Sequence, residues 1–275
     1  MKKILIPVDF SETSKNAARY GVKLAASIPG ASVILYNMYK KIIPGSDGTP
    51  LSDADLSRQI ILKNAMDSLK EELSGEADVN IETVAEDGSS LVENVSRYVK
   101  NHGIDWIVMG ITGATRLEQI LFGSNALEMV HSGVCPVIIV PPKAEFEKIE
   151  NILLASDFKD VVKTTPEAQI KKLLDAFKPK FHIVNIDHEH YVELTDEYKA
   201  ERAKLEEMFK DYNPEFSFIR LFDFLEAISI FSEDKNIDLI ITVPRSHNFL
   251  TKLFRTSNTK ALAYHSHIPI AAILS

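Results

Sequence analysis

Short runs of aliphatic and β-branched residues alternate with longer segments of helical periodicity through the whole chain, and this alternation restricts the fold more than any other feature. Strands that alternate with helices form βαβ units and a mostly parallel sheet. In the first half, this pattern predicts five strands, at residues 3–8, 32–36, 80–85, 105–109 and 136–140. Helices are predicted between them, at residues 11–27, 52–73, 90–101 and 124–131. The sequence therefore predicts an α/β fold in which helices cover a parallel sheet.

The same order begins again in the second half, after a segment that contains two prolines and two lysines. Strands are predicted at residues 151–155, 180–186, 216–221, 238–243 and 269–274. Residues 4–10 align with residues 152–158, and residues 105–109 align with residues 238–242. A chain of 275 residues is also long enough for two domains of ordinary size. We therefore predict a tandem duplication, with one domain at residues 1–142 and a second at residues 143–275.

The composition argues against several classes of partner. The 39 acidic and 31 basic residues give a net charge of -8, and no long run of Lys or Arg is present, so we expect no nucleic-acid partner. No apolar run approaches the length of a membrane span, so we expect no membrane partner and a cytoplasmic protein. The single cysteine, Cys135, cannot form a disulfide within the chain, which suits a reducing compartment.

Three glycines and a serine follow the fourth predicted strand at the spacing Gly-x2-Gly-x9-Gly-Ser, as Gly110, Gly113, Gly123 and Ser124. Glycine lets the backbone approach a ligand closely, and the start of a helix offers free N–H groups and the positive end of a dipole. Open α/β sheets bind their ligands beyond the carboxyl ends of the strands. The pattern predicts a phosphate-binding loop, against the alternative that these glycines only form turns and caps.

Asp9 ends the first predicted strand, on the same edge of the sheet. Its carboxylate or its backbone neighbours could contact a ribose or an adenine edge. Ser11 and Glu12 have the properties of a helix N-cap and first turn, and Asp9 taken alone is more typical of a helix start than of a ligand contact. Its place beside the glycine loop favours the ligand contact.

With these residues the chain resembles the universal stress protein family in its two-copy form. The signature of the nucleotide-binding branch is complete in the first half, and residues 6–12 and 117–124 also look like the family. The resemblance implies two tandem five-stranded parallel sheets of order 3-2-1-4-5, doubly wound with helices on both faces. It further implies ATP between strands one and four of the first copy, with any Mg²⁺ carried by the phosphates, and an internal pseudo-dimer paired through the fifth strands. Homodimers of the whole chain are a further implication.

The resemblance assigns nucleotide-binding roles to eight residues of this chain. Asp9 would face the adenosine end, and Met38 after strand two would frame the adenine. Met109 and Gly110 would flank the ribose and phosphates. The triphosphate would be held by Gly113, Gly123, Ser124 and Asn125.

The second half departs from the glycine pattern. It aligns Val243, Ser246 and Thr256 with the three glycines, and only the serine persists, as Ser257. Side chains at these positions would crowd a triphosphate, and a β-branched residue resists a turn with positive φ. We therefore predict one nucleotide per chain, bound in the first domain.

The sequence leaves four classes of function open. The leading one is an ATP-binding stress-response regulator that acts as a binding switch. The alternatives are a slow ATPase or nucleotide-transferring enzyme on the same fold, a signalling receiver phosphorylated on Asp9, and a structural dimer module with a vestigial pocket. We predict no catalytic residue and no metal site, because the His188-Glu-His190 run offers too few ligands and no Gly-x4-Gly-Lys loop is present.

Overall fold

The computed structural model describes residues 2–40, 53–111, 124–187, 195–220, 224–244 and 267–274. The strands in these ranges are β1 Lys3–Pro7, β2 Ser32–Tyr39, β3 Asn80–Asp87, β4 Trp106–Gly110, β5 Val137–Val140, β6 Asn151–Ala155, β7 Lys180–Asp187, β8 Glu215–Arg220, β9 Leu239–Thr242 and β10 Ile270–Ala272. The α-helices are α1 Glu12–Ala26, α2 Asp53–Ser74, α3 Leu91–His102, α4 Ser124–His131, α5 Val161–Thr164, α6 Glu167–Phe177, α7 Asp196–Met208 and α8 Phe224–Asp234. Every predicted strand is present, with bounds within three residues of the prediction.

The strands form one sheet in the order β3-β2-β1-β4-β5-β10-β9-β6-β7-β8. All neighbours are parallel except β5 and β10, which are antiparallel and pair Ile139 with Ile270 and Val137 with Ala272. The parallel α/β class is therefore confirmed. The two halves form one continuous sheet, in which β5 and β10 satisfy each other's open edges.

Helices cover both faces of this sheet. On one face, which we call the α1 face, residues such as Ile6 and Leu154 pack under α1, α2, α6 and α7. On the other, the α3 face, residues such as Leu5 and Leu153 pack under α3, α4 and α8. Central strands are buried on both sides, which explains their uninterrupted apolar sequences. Within the described ranges no helix is long and apolar enough to cross a bilayer.

Two helices begin at serines that the sequence predicted as their starts. The Ser11 hydroxyl accepts a hydrogen bond from the backbone N–H of Ser14, and the Ser90 hydroxyl accepts one from Glu93. Each cap satisfies a donor that the first turn leaves without a helical partner. Helix α3 ends at Gly103, which takes the left-handed conformation with φ 64°.

An aspartate fixes the start of the first strand in each half. The Asp105 carboxylate accepts a hydrogen bond from Lys3 N at 3.0 Å. Asp238, its aligned counterpart, accepts bonds from Glu150 N at 2.8 Å and Asn151 N at 2.9 Å. Asp105 thus ties the residue before β4 to the start of β1, and Asp238 ties the residue before β9 to the start of β6.

We expect Asp238→Ala to destabilise the protein by about 1–3 kcal/mol, because two backbone N–H groups at the start of β6 lose their acceptor. Chemical denaturation of the full chain measures the change. Asp234→Ala is the matched control, since Asp234 only forms an exposed ion pair with Lys235. Equal stability of the two variants would contradict the anchoring role.

A buried histidine lies near the far edge of the sheet. His182 of β7 is 3% exposed, and neither ring nitrogen makes a hydrogen bond. Its Nδ1 lies 3.4 Å from a carboxylate oxygen of Glu215, and its ring meets that of Phe231 edge-on. Burial lowers the pKa of His182; Glu215 opposes this effect, while Lys235 and Lys180 add to it.

Because the folded-state pKa of His182 is below its unfolded value, the unfolded chain takes up this proton first as the pH falls. Stability should therefore drop as the pH falls below about 6.5, the ordinary value for His. We expect His182→Leu to flatten the dependence of unfolding free energy on pH between pH 7 and 5. An unchanged slope in His182→Leu would contradict the assignment.

Candidate functional site

The carboxyl ends of β1, β2 and β4 meet at one edge of the sheet. Strand β1 pairs in parallel with β2 on one side and with β4 on the other. The chain leaves β1 toward β2 and returns later as β4 on the opposite side, so the connections diverge here, which is the topology at which open α/β sheets bind ligands. This edge carries Asp9, Met38, Met109 and Gly110.

Asp9 lies two residues beyond the end of β1 and is exposed. Its Oδ1 accepts hydrogen bonds from Ser11 N at 3.0 Å and from Ser11 Oγ at 2.5 Å. Partial burial raises the pKa of Asp9, but the hydrogen bonds from Ser11 and Ser14 outweigh that effect and leave the pKa below its ordinary value. The carboxylate is therefore ionised at neutral pH and can accept hydrogen bonds from hydroxyl or amino groups of a ligand.

The backbone before Asp9 is held by Asn37, which the sequence analysis did not identify. Asn37 Nδ2 donates to the Val8 carbonyl at 2.7 Å, and Val8 N donates to the Tyr36 carbonyl at 2.8 Å. Phe10 then takes a left-handed conformation with φ 64°, which turns the chain into α1. A polar residue within the otherwise apolar run of β2 is the signal that could have revealed this contact.

The second half repeats this arrangement. Asn185 Nδ2 donates to the Ser156 carbonyl at 3.1 Å, Ser156 N donates to the Val184 carbonyl at 3.0 Å, and Phe158 has φ 52°. The turn after the first strand of each half is thus built by the same contacts.

A hydrogen-bonded group at the ends of β2 and β3 was also missed. Tyr36 Oη donates to Glu86 Oε2 at 2.7 Å, and Arg97 of α3 donates to the same oxygen at 2.7 Å. Burial, followed by the bond to Glu86, raises the pKa of Tyr36, so the phenol stays protonated at neutral pH. These contacts tie α3 to strands β2 and β3.

The two methionines lie on the α3 face of the edge. Met109 is 5% exposed and is part of the core on that face. Met38 is half-buried and packs against the same core. It lies within β2, which continues to Tyr39, and not after the strand as the sequence analysis expected.

Gly110, the last residue of β4, faces the first turn of α1. A Cβ atom at Gly110 would lie 2.5 Å from the Thr13 carbonyl oxygen and 3.0 Å from the Thr13 carbonyl carbon. Glycine at this position therefore lets the start of α1 pack directly against β4. This requirement is independent of any ligand.

In the second half, the position that aligns with Gly110 carries a valine. Val243 is half-buried and packs into the core of the α1 face. The helix that follows β6 is also interrupted, since α5 ends at Thr164 and α6 begins at Glu167 after Pro166. The close approach of an uninterrupted helix to the fourth strand is thus confined to the first half.

Helix α4 begins at the same edge as Gly110, because it connects the parallel neighbours β4 and β5. Its first residues, Ser124 and Asn125, are exposed. Gly113 and Gly123 lie outside the described residues, as do Ser246, Thr256, Ser257 and the His188–His190 run. Among the described residues no cluster of three His, Cys, Asp or Glu side chains could hold a metal ion.

We expect Gly110→Ala to destabilise the protein by about 1–3 kcal/mol and to increase amide exchange in the first turn of α1, because the added methyl group would displace the Thr13 backbone. Hydrogen exchange with peptide resolution measures the local effect. Gly103→Ala is the control, since its Cβ meets open space and its cost comes from the positive φ alone. Unchanged exchange at residues 11–15 in Gly110→Ala would contradict the packing role.

Known proteins resemble about half of this chain in sequence. The model of the universal stress protein family matches residues 1–141. Universal stress protein MJ0531 of Methanocaldococcus jannaschii is 32% identical over 148 residues, covering 52% of this chain and 85% of that protein. Universal stress protein YxiE of Bacillus subtilis is 27% identical over 145 residues, covering 50% of this chain and 97% of that protein.

The fold of the whole chain is also similar to that of solved structures. A universal stress protein from Archaeoglobus fulgidus aligns with a TM-score of 0.65 at 19% identity, over 99% of this chain and 98% of the other. A protein from Pseudomonas aeruginosa, described as a putative universal stress protein, aligns with a TM-score of 0.59 at 13% identity, over 100% of this chain and 93% of the other. At these identities the likeness concerns the fold alone. The family match and the identity to MJ0531 together show that this chain belongs to the universal stress protein family.

Proposed function

We propose that the chain is a two-domain universal stress protein whose first domain, residues 1–142, binds one ATP. The observation that carries this proposal is the Gly-x2-Gly-x9-Gly-Ser spacing after β4, at the edge where Asp9, Gly110 and the start of α4 come together. Family membership over residues 1–141 supports it.

The charges of the site favour one orientation of the nucleotide. The ionised carboxylate of Asp9 repels phosphates and accepts hydrogen bonds from hydroxyl groups, so the adenosine end is proposed to lie beside Asp9. Met38 would frame the adenine, and Met109 and Gly110 would flank the ribose and phosphates. The triphosphate would lie against Gly113, Gly123 and the first residues of α4, Ser124 and Asn125, where the helix dipole attracts negative charge. Mg²⁺ would bind through the phosphates.

The second domain, residues 143–275, is proposed to be a diverged copy that binds no triphosphate. The repeated contacts of Asp105 and Asp238 support a duplication, as do those of Asn37 and Asn185. The antiparallel pairing of β5 with β10 supports an internal pseudo-dimer. Val243 and the absence of glycine after Gly133 support the loss of the phosphate loop.

In cellular terms we propose a cytoplasmic stress-response regulator that acts as a binding switch. Nucleotide occupancy of the first domain would change how the protein associates with its partners. Asp9 and its serine neighbours bind and orient in this proposal, and no described residue is assigned a part in bond cleavage.

Titration calorimetry with ATP and Mg²⁺ tests the site. We expect Gly113→Val and Gly123→Val each to weaken ATP binding at least about tenfold, because a branched side chain would occupy the path of the phosphates. The aligned positions of the second half supply matched controls, and Ser246→Val and Thr256→Val should bind ATP like the wild type. Wild-type affinity in both glycine variants would contradict the proposal.

The same protein samples also show whether the protein only binds ATP or hydrolyses it. We expect wild-type protein to return ATP intact after incubation, as measured by release of inorganic phosphate. Sustained phosphate release that both glycine variants lose would establish the ATPase alternative in place of the switch.

A further inference from the structure

A cavity of about 250 Å³ lies between α7 and β8 in the second half of the chain. Four aromatic residues form its walls, namely Phe158, Tyr198, Phe216 and Phe218, and three charged residues border it, namely Lys199, Arg202 and Glu206. We call it the Phe158 cavity. Its lining comes entirely from residues 158–218, so it is separate from the edge that carries Asp9 and Gly110.

The aromatic walls hold one another in place. Phe158 meets Phe216 edge-on with ring centroids 6.3 Å apart, and Tyr198 meets Phe218 edge-on at 5.9 Å. Phe158 and Tyr198 are 6.4 Å apart. Edge-to-face pairs at these distances are the arrangement that aromatic side chains prefer. The cavity therefore presents fixed, flat apolar surfaces that suit an aromatic ring.

The position of Phe158 is determined by its backbone and by α7. Phe158 is 5% exposed and has φ 52°, in the left-handed region that non-glycine residues seldom adopt. A little further along the chain, Val161 N donates to Glu201 of α7 at 2.8 Å, and Glu201 is in turn paired with Lys204. The wall formed by Phe158 is thus tied to the helix that forms the opposite wall, so the cavity is preorganised.

Arg202 is one of two cations that border this cavity, the other being Lys199. Its guanidinium carbon lies 4.9 Å from the ring centroid of Phe216. Its helix neighbours Lys199 and Lys204 are each paired with a carboxylate, whereas no ion pair of Arg202 is present in the described part of the chain. A guanidinium held against an aromatic ring still presents N–H groups along its edge, which bind a carboxylate with two hydrogen bonds.

The remaining charges limit what the ligand can be. Glu206 lies one turn after Arg202 on the border of the cavity and disfavours a second negative charge. The volume of about 250 Å³ is below that of drug-sized sites, which restricts the ligand to one or two rings. We propose that the Phe158 cavity binds a small aromatic monocarboxylate, with its ring against Phe158, Tyr198 and Phe218 and its carboxylate on Arg202.

Binding of 1-naphthoate to the full chain, followed by calorimetry and by shifts of aromatic NMR signals, tests the proposal. We expect saturable binding of one ligand per chain. Arg202→Gln should weaken it on the order of tenfold, the effect of losing a hydrogen bond to a charged group. The control Lys210→Gln removes the same charge from an exposed residue that does not line the cavity, and it should leave the affinity unchanged.

A neutral analogue of the ligand distinguishes recognition of the carboxylate from nonspecific hydrophobic binding. 1-Naphthalenemethanol should bind the wild type about tenfold more weakly than 1-naphthoate, and Arg202→Gln should not change its affinity. Ala203→Phe, which fills the cavity from an exposed position of α7, should weaken both compounds. Equal binding of both compounds to the wild type and to Arg202→Gln would overturn the proposal, and so would the absence of saturable binding.

Discussion

The two halves of the sheet are held together by the antiparallel ladder between β5 and β10. Only three residue pairs form it, yet it joins two parallel five-strand blocks into one sheet. Without it, each block would expose an apolar edge, because β5 and β10 are buried strands. The cores of the α1 face and the α3 face both run across this join, so hydrophobic burial reinforces the hydrogen bonds.

The direction of this ladder also decides where sites can form. Strands within each half are parallel, and the two halves run in opposite directions because β5 and β10 are antiparallel. The carboxyl ends of the two sets of strands therefore lie on opposite edges of the sheet. The edge with Asp9 and Gly110 and the corresponding edge of the second half therefore do not contribute to one shared site.

Much of the fold could be predicted from the sequence because its signals are local. Apolar runs buried on both faces predicted the strands, and Ser11 and Ser90 predicted two helix starts that the structure confirms. The pairing of residues 137–140 with residues 270–272 was implied by the family resemblance alone, since local sequence patterns do not show long-range strand pairing. The glycine at the end of the fourth strand could be recognised in the sequence. The close approach of Thr13 to Gly110 could not, because it arises only when α1 packs on β4.

The sequence predicted that four of the candidate residues lie at one edge of the sheet, but it did not reveal the contacts that support this edge. Asp9, Met38, Met109 and Gly110 come to one edge because they follow or end strands that pair in parallel, a consequence of topology that sequence order reveals. Asn37 and Tyr36 were missed because a polar group inside a strand shows its partner only in three dimensions. The Phe158 cavity was invisible for a similar reason, since its aromatic walls come from three separate segments and its helix has the charge pattern of an exposed surface.

We propose that the two halves share one architecture and that only the first half holds a nucleotide. Native mass spectrometry of the intact chain, equilibrated with excess ATP and Mg²⁺, counts the bound ligands. We expect a single added mass of one ATP per chain at saturation. Two bound nucleotides per chain, or none at millimolar ATP, would contradict the proposal.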